Sequence, residues 1–256
     1  MSALGGYSGP TETYHVDRIG DFLIPTDTET HRIDAQNCII GTVGRYDPVQ
    51  ARKEGTWGER ISQEYSWVGR TQVEPVESFL DIGHNVGGSS VWAARVWWPD
   101  TLKEIHAYDP NPACAYFYER NAWLIQRGIY VAWHTEAVSA DPSVKFHCDE
   151  RWGCSWTHEE GLDLDVRRLD GTPYEVPIVH PRDLPAADCL KVDAENCEGD
   201  IIDHYPYWDG VRVLLLEWHS QVNRRKVFAL ADRVGLKLVK NDCGQDQQGV
   251  GCWVRP

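Results

Sequence analysis

The segment Ser78–Asn121, SFLDIGHNVGGSSVWAARVWWPDTLKEIHAYDPNPACAYFYERN, limits what this chain can fold into. An apolar run, Ser78–Ile82, ends in a glycine-rich turn. A helical stretch follows from about Gly88 and must stop at Pro99, because proline cannot continue a helix. A second strand, expected at Glu104–Tyr108, ends in an acid, Asp109. Asn111 then offers a helix cap, Pro112 suits the first helical turn, and Gly128 lies just past the helix end. Strand, tight turn, helix and strand in this order build a β-α-β unit with parallel strands.

The alternation continues downstream. A third strand is expected at Tyr130–Val138, with a hairpin partner at Val144–Cys148. A fourth is expected at Asp188–Val192, followed by a short helix from Glu198. A fifth, Val211–Trp218, is nearly all apolar, as suits a parallel strand buried on both faces. A helix over Arg225–Val234 should end at Gly235. The runs Leu236–Lys240 and Val250–Val254 flank a turn-rich segment and should pair as a hairpin. Residues 71–256 are therefore expected to form one α/β domain. Its mostly parallel sheet has seven strands and a terminal antiparallel hairpin, and 149–185 is a loop-rich insertion. Residues 1–70 carry no chemical motif. They are expected to be an irregular cap, lid or oligomer contact, with a weak strand at Asn37–Val43 and a helix at Gly58–Tyr65.

Bulk properties remove several classes of function. The 25 basic residues against 39 acidic ones give a net charge of −14. Such a surface does not suit non-specific nucleic-acid binding or docking on anionic membranes. No run approaches the roughly 18 apolar residues of a membrane span. The N-terminus lacks the basic start and apolar core of a signal peptide. Eight cysteines without such a signal read as reduced thiols, which points to the cytoplasm. His147, Cys148, Cys154 and His158 imitate a zinc site, but their spacing fits no standard module, and scattered thiols are the plainer reading. Trp152 and Trp156 are candidates for stacking on a flat or sugar-like substrate.

The glycine turn discriminates among adenosine-containing ligands. A P-loop needs a lysine and a hydroxyl for phosphates and magnesium, and this turn has no lysine. A dinucleotide site needs a second glycine to admit the pyrophosphate, and Asn85 stands in that place. A ligand with ribose and adenine but no phosphate fits, and S-adenosylmethionine is such a ligand. Asp81 is the candidate for its ammonium. The turn residues Gly83, His84, Asn85 and Gly87 are candidates for its carboxylate, and Asp109 for the ribose hydroxyls.

These residues resemble the FkbM-type methyltransferases. DIGHNVGGSS is similar to the family's first motif and YDPNPACAYFYERN to its second. TEAVSAD, LKVDAENCEGDII and LLLEWHS follow in the family's order up to His219. Two positions depart from the pattern. Asp109 replaces a glutamate, and Asn196 replaces the glycine of an E-G-x-E motif, which is expected to alter that turn. The resemblance implies a Rossmann-like class I methyltransferase fold, S-adenosylmethionine as cofactor, and a small-molecule hydroxyl acceptor such as a sugar, lipid or polyketide. It adds Pro110 and Ala137 to the cofactor set.

Methyl transfer to a neutral hydroxyl is helped by a base. Candidates at the ends of strands four and five are Asp193, Glu195, Glu198, Glu217 and His219. Glu195 and His219 lead and Asp193 is third. Glu198 also reads as a first-turn acid that complements a helix dipole. No metal is expected, and a divalent ion on Asp193, Glu195, Glu217 and His219 is the alternative. A nicotinamide oxidoreductase and a non-catalytic adenosine-binding protein are the rival functions.

Overall fold

A computed structural model describes residues 9–16, 19–25, 75–125, 127–147, 156–158, 176–243 and 249–256. Its centre is a seven-stranded sheet built outward from β3 (Ser78–Ile82). The chain crosses through α1 (Gly88–Trp92) to β4 (Glu104–Tyr108), then through α2 (Pro112–Asn121) to β5 (Tyr130–His134). It returns to the other side of β3 with β10 (Cys189–Val192), α3 (Glu198–His204), β11 (Val213–Trp218) and α4 (Gln221–Val234). The last two strands, β12 (Lys237–Cys243) and β13 (Gly249–Val254), form an antiparallel hairpin.

The strand order is β12-β13-β11-β10-β3-β4-β5, with β13 inserted antiparallel between β11 and β12. The five strands β5, β4, β3, β10 and β11 are parallel. This topology is the Rossmann-like class I methyltransferase fold. The order reverses between β3 and β10, and in such sheets the crevice at the carboxyl ends beside that reversal is where ligands bind.

Each face of the sheet covers its own core. On one face Phe79, Ile105, Val91 and Phe117 pack with Trp97 and Trp98; on the other Leu80, Leu190, Leu214 and Leu216 pack with Ile201, Val227 and Leu230. Each large apolar side chain so buried contributes about 1.5–3 kcal/mol. The first helix departs from the expected regular course to Pro99. After α1 the backbone widens into a π-turn, Ala93–Trp97, in which Trp98 N donates to Ala93 O at 3.0 Å. The extra residue per turn brings both Trp97 and Trp98 onto Phe79, with ring centroids 6.4 and 6.3 Å away.

Other differences come from contacts between distant segments. Residues before Asn37 showed no pattern, yet β1 (Thr11–Val16) and β2 (Gly20–Pro25) pair antiparallel. Phe22 and Ile24 of this hairpin are buried in the first core. The strand expected over Tyr130–Val138 breaks after His134. Ala137–Val138 (β6) instead runs parallel to β9 (Ile178–Val179), within the stretch expected to be loops. Residues 145–147 (β7) pair not with that third strand but with β8 (Trp156–His158). The insertion thus supplies the pairing partners of β6 and β7. Helix α4 begins four residues earlier than expected, because the Ser220 hydroxyl caps it by accepting from Asn223 N at 3.1 Å. No helix among the described residues is long and apolar enough to cross a membrane. The strand at Asn37–Val43, the helix at Gly58–Tyr65, Cys148, Trp152 and Cys154 lie outside the described residues.

Candidate active site

The turn after β3 is shaped by three left-handed residues, Gly83 (φ 78°), Asn85 (φ 48°) and Gly87 (φ 91°). Gly83 N donates to Tyr108 O at 2.8 Å, which ties the turn to the end of β4. A Cβ on Gly83 would stand 1.9 Å from the carbonyl oxygen of Asp193, so the turn touches the end of β10 through a space only glycine leaves. Asparagine tolerates the left-handed region, and the Asn85 side chain folds back so that Oδ1 accepts from Val86 N at 2.7 Å.

Asp109 meets this turn from the neighbouring strand end. Its Oδ2 accepts from Asn85 N at 2.9 Å and its Oδ1 from Asn111 N at 2.9 Å. A carboxylate offers about four lone-pair sites, so both oxygens retain accepting capacity. Asn111 caps α2 through Ala113 N, as expected. Pro110 sits between Asp109 and this cap, half-buried. Ala137 is buried in β6 and its N–H goes to Pro177 O. His84 is buried against Tyr118, with ring centroids 4.3 Å apart, and its Nε2 has no hydrogen-bond partner.

Asp81 is placed deeper than a direct ligand contact requires. It is fully buried, and its Oδ2 accepts from the hydroxyls of Ser89 and Ser90 at 2.5 and 2.7 Å. Its Oδ1 accepts no hydrogen bond, and the Lys191 ammonium lies 3.8 Å away. Lys191 itself donates to Gly83 O at 2.5 Å and to Asp193 Oδ2 at 3.3 Å. The chain's own ammonium therefore bridges the turn and the end of β10, and it faces Asp81. A lysine inside the otherwise apolar strand CLKV was the signal for it, since a buried lysine requires partners.

The second half of the site lies at the ends of β10 and β11. His219 is 8% exposed and meets three carboxylates. Its Nδ1 donates to Glu198 Oε1 at 2.9 Å, and its Nε2 lies 3.3 Å from Glu195 Oε2 and 3.7 Å from Glu217 Oε1. Burial alone would lower the His219 pKa. The charges of Glu195, Glu198 and Glu217 overcome this and raise it above the ordinary value. Glu198 is fully buried and also accepts from Asn196 N at 3.0 Å and Asn223 Nδ2 at 2.7 Å. Its role is to orient the imidazole, beyond complementing the α3 dipole.

Glu195 and Asn196 both have positive φ, 45° and 90°. The turn therefore keeps a left-handed course where the motif's glycine is absent, with Asn196 taking that conformation. Glutamate rarely occupies this region, and such strain gathers at functional sites. Here it turns the Glu195 carboxylate toward His219. One ligand atom from each of Asp193, Glu195 and His219 lies within 4.8 Å of the others.

No family model matches this chain, and no curated protein does. Solved structures with a similar trace include methyltransferases. The precorrin-6y C5,15-methyltransferase of Geobacter metallireducens is 15% identical, with 80% of this chain and 93% of that one covered at a TM-score of 0.44. The ribosomal protein L11 methylase of Lactobacillus delbrueckii is 14% identical, with 78% and 80% covered and a TM-score of 0.43. The TehB-like SAM-dependent methyltransferase of Corynebacterium glutamicum is 10% identical, with 88% and 100% covered and a TM-score of 0.38. Each is a likeness of fold, at an identity too low to transfer an activity.

Proposed function

We propose that this chain is an S-adenosylmethionine-dependent methyltransferase that acts on a hydroxyl of a small-molecule acceptor, in the manner of the FkbM-type enzymes it resembles. The observation that carries the reading is one juxtaposition. A turn with Asn85 in the pyrophosphate-admitting place, backed by Asp109, touches through Gly83 the strand end that leads to the acid–imidazole cluster.

The donor supplies an electrophilic methyl on a sulfonium. The residues at hand fit such a molecule. Asp109 is held by two backbone amides with lone pairs left for ribose hydroxyls, beside the left-handed turn Gly83–Gly87. Lys191 brings a positive charge to Gly83 O and balances Asp81, which makes Asp81 a support of the turn. Beside it, Glu195 accepts the proton of the acceptor hydroxyl, and Asp193 helps to position that group. His219, fixed by Glu198, orients Glu195. The chain thereby holds acceptor and donor in line, the larger part of what such a reaction needs.

Thermal unfolding with ligands tests the assignment. S-adenosylhomocysteine is expected to raise the melting temperature in a saturable way while NADH does not, since a ligand that binds only the folded state stabilises it. Stabilisation by NADH alone would transfer the site to the oxidoreductase reading.

A further inference from the structure

We propose that Asp193, Glu195 and His219 form a binding site for a single divalent transition cation, of the Mn2+, Fe2+ or Zn2+ type, at the acceptor side of the site. Their ligand atoms converge within 4.8 Å from the ends of two adjacent parallel strands. The donor set mixes one imidazole nitrogen with carboxylate oxygens. Imidazole suits Zn and Fe, carboxylate suits Mn, and an all-oxygen set would instead suit Mg2+ or Ca2+.

The surroundings of His219 match those of a metal-bound histidine. A carboxylate accepts only, so the 2.9 Å contact with Glu198 puts the Nδ1 proton on that side and directs Nε2 at Glu195. A ligating histidine almost always gives its other N–H to such a partner, which fixes its orientation. Glu198 is itself fixed by Asn223 and by Asn196 N, and it is fully buried, so the ring cannot swing away. Asp193 and Glu195 remain partly accessible, with side chains 28% and 18% exposed, which leaves an entry path. With the cation bound Glu195 is a ligand, and Glu217, 3.7 Å from Nε2, replaces it as the group that takes a proton from an acceptor hydroxyl held on the cation.

The last role rests on the methyltransferase reading; binding of the cation does not. Titration of the full chain with MnCl2, followed by loss of the free Mn2+ electron paramagnetic resonance signal, tests it. One equivalent is expected to bind, with MgCl2 competing at least about tenfold less well. Glu195→Gln and Asp193→Asn should each weaken Mn2+ binding by about tenfold or more, in line with loss of one ligand. Asp203→Asn, in the exposed pair with Lys226, should bind as the unaltered chain. A thermal melt of each variant confirms that it is folded, and the two ligand variants provide independent trials. Absence of Mn2+ binding by the unaltered chain, or equal binding by both folded ligand variants, overturns the site. S-adenosylhomocysteine binding on the same samples separates the two proposals. Mn2+ bound without the thioether leaves the metal site and removes the methyltransferase reading; the reverse removes only the metal.

Discussion

At the scale of single residues, Gly83 decides how closely the two halves of the site approach. Its left-handed backbone (φ 78°) and the carbonyl of Asp193 leave no room for a side chain. Gly83→Ala is expected to lower stability by more than about 2 kcal/mol, since strain and overlap add, and the urea midpoint measures it. An unchanged midpoint would mean the turn and β10 can separate without cost. Residues of this kind were legible in the chain because parallel strands end their runs at the functional edge. Asp109, Asp193, Glu195, Glu217 and His219 all follow apolar runs, and the structure puts each at that edge. The roles of Lys191, Ser89 and Ser90 were not legible. They depend on which strand lies beside which, and Lys191 meets Asp81 only because β10 pairs with β3. The carboxylate surroundings of His219 were hidden for the same reason, since Glu195 and Glu198 reach it from the segment that follows a different strand.

At the scale of elements, Asn121 joins three parts of the fold. It closes α2, is fully buried, accepts from Leu23 N at 2.7 Å, and donates to Leu23 O at 3.1 Å and Val86 O at 2.9 Å. The hairpin β1–β2 is thus fastened to the glycine turn itself, through Val86. Asn121→Leu removes all three bonds and leaves buried backbone groups unpaired, each worth about 1–3 kcal/mol. The expected outcome is a loss of about 2–4 kcal/mol in denaturant unfolding, with weaker S-adenosylhomocysteine binding because the turn loosens. Unaltered stability would show the hairpin to be held by Phe22 and Ile24 alone. This hairpin was invisible in the sequence because its anchor lies 98 positions away. Strands β3, β4, β10 and β11, and the closing hairpin, were legible to within two residues at each start because buried parallel strands announce themselves as continuous apolar runs. The split of the third strand was not, since Thr135 and Glu136 interrupt it only where β9 arrives from a distant segment.

At the scale of the whole molecule, the reversal of strand order between β3 and β10 divides labour. On one side stand the turn, Asp109 and Asn111; on the other stand Asp193, Glu195 and His219, with Gly83 and Lys191 as the seam. The methyltransferase proposal assigns the first side to the donor and the second to the acceptor. Such a division predicts that substitutions on the two sides have separable effects on donor binding. Calorimetric titration of S-adenosylhomocysteine into the unaltered chain, Asp109→Ala and Glu195→Gln measures this directly. The account predicts saturable binding by the unaltered chain, an affinity at least about tenfold weaker in Asp109→Ala, and one within about twofold in Glu195→Gln, where tenfold corresponds to about 1.4 kcal/mol. No binding by the unaltered chain, or equal affinities for the unaltered chain and Asp109→Ala, would contradict it.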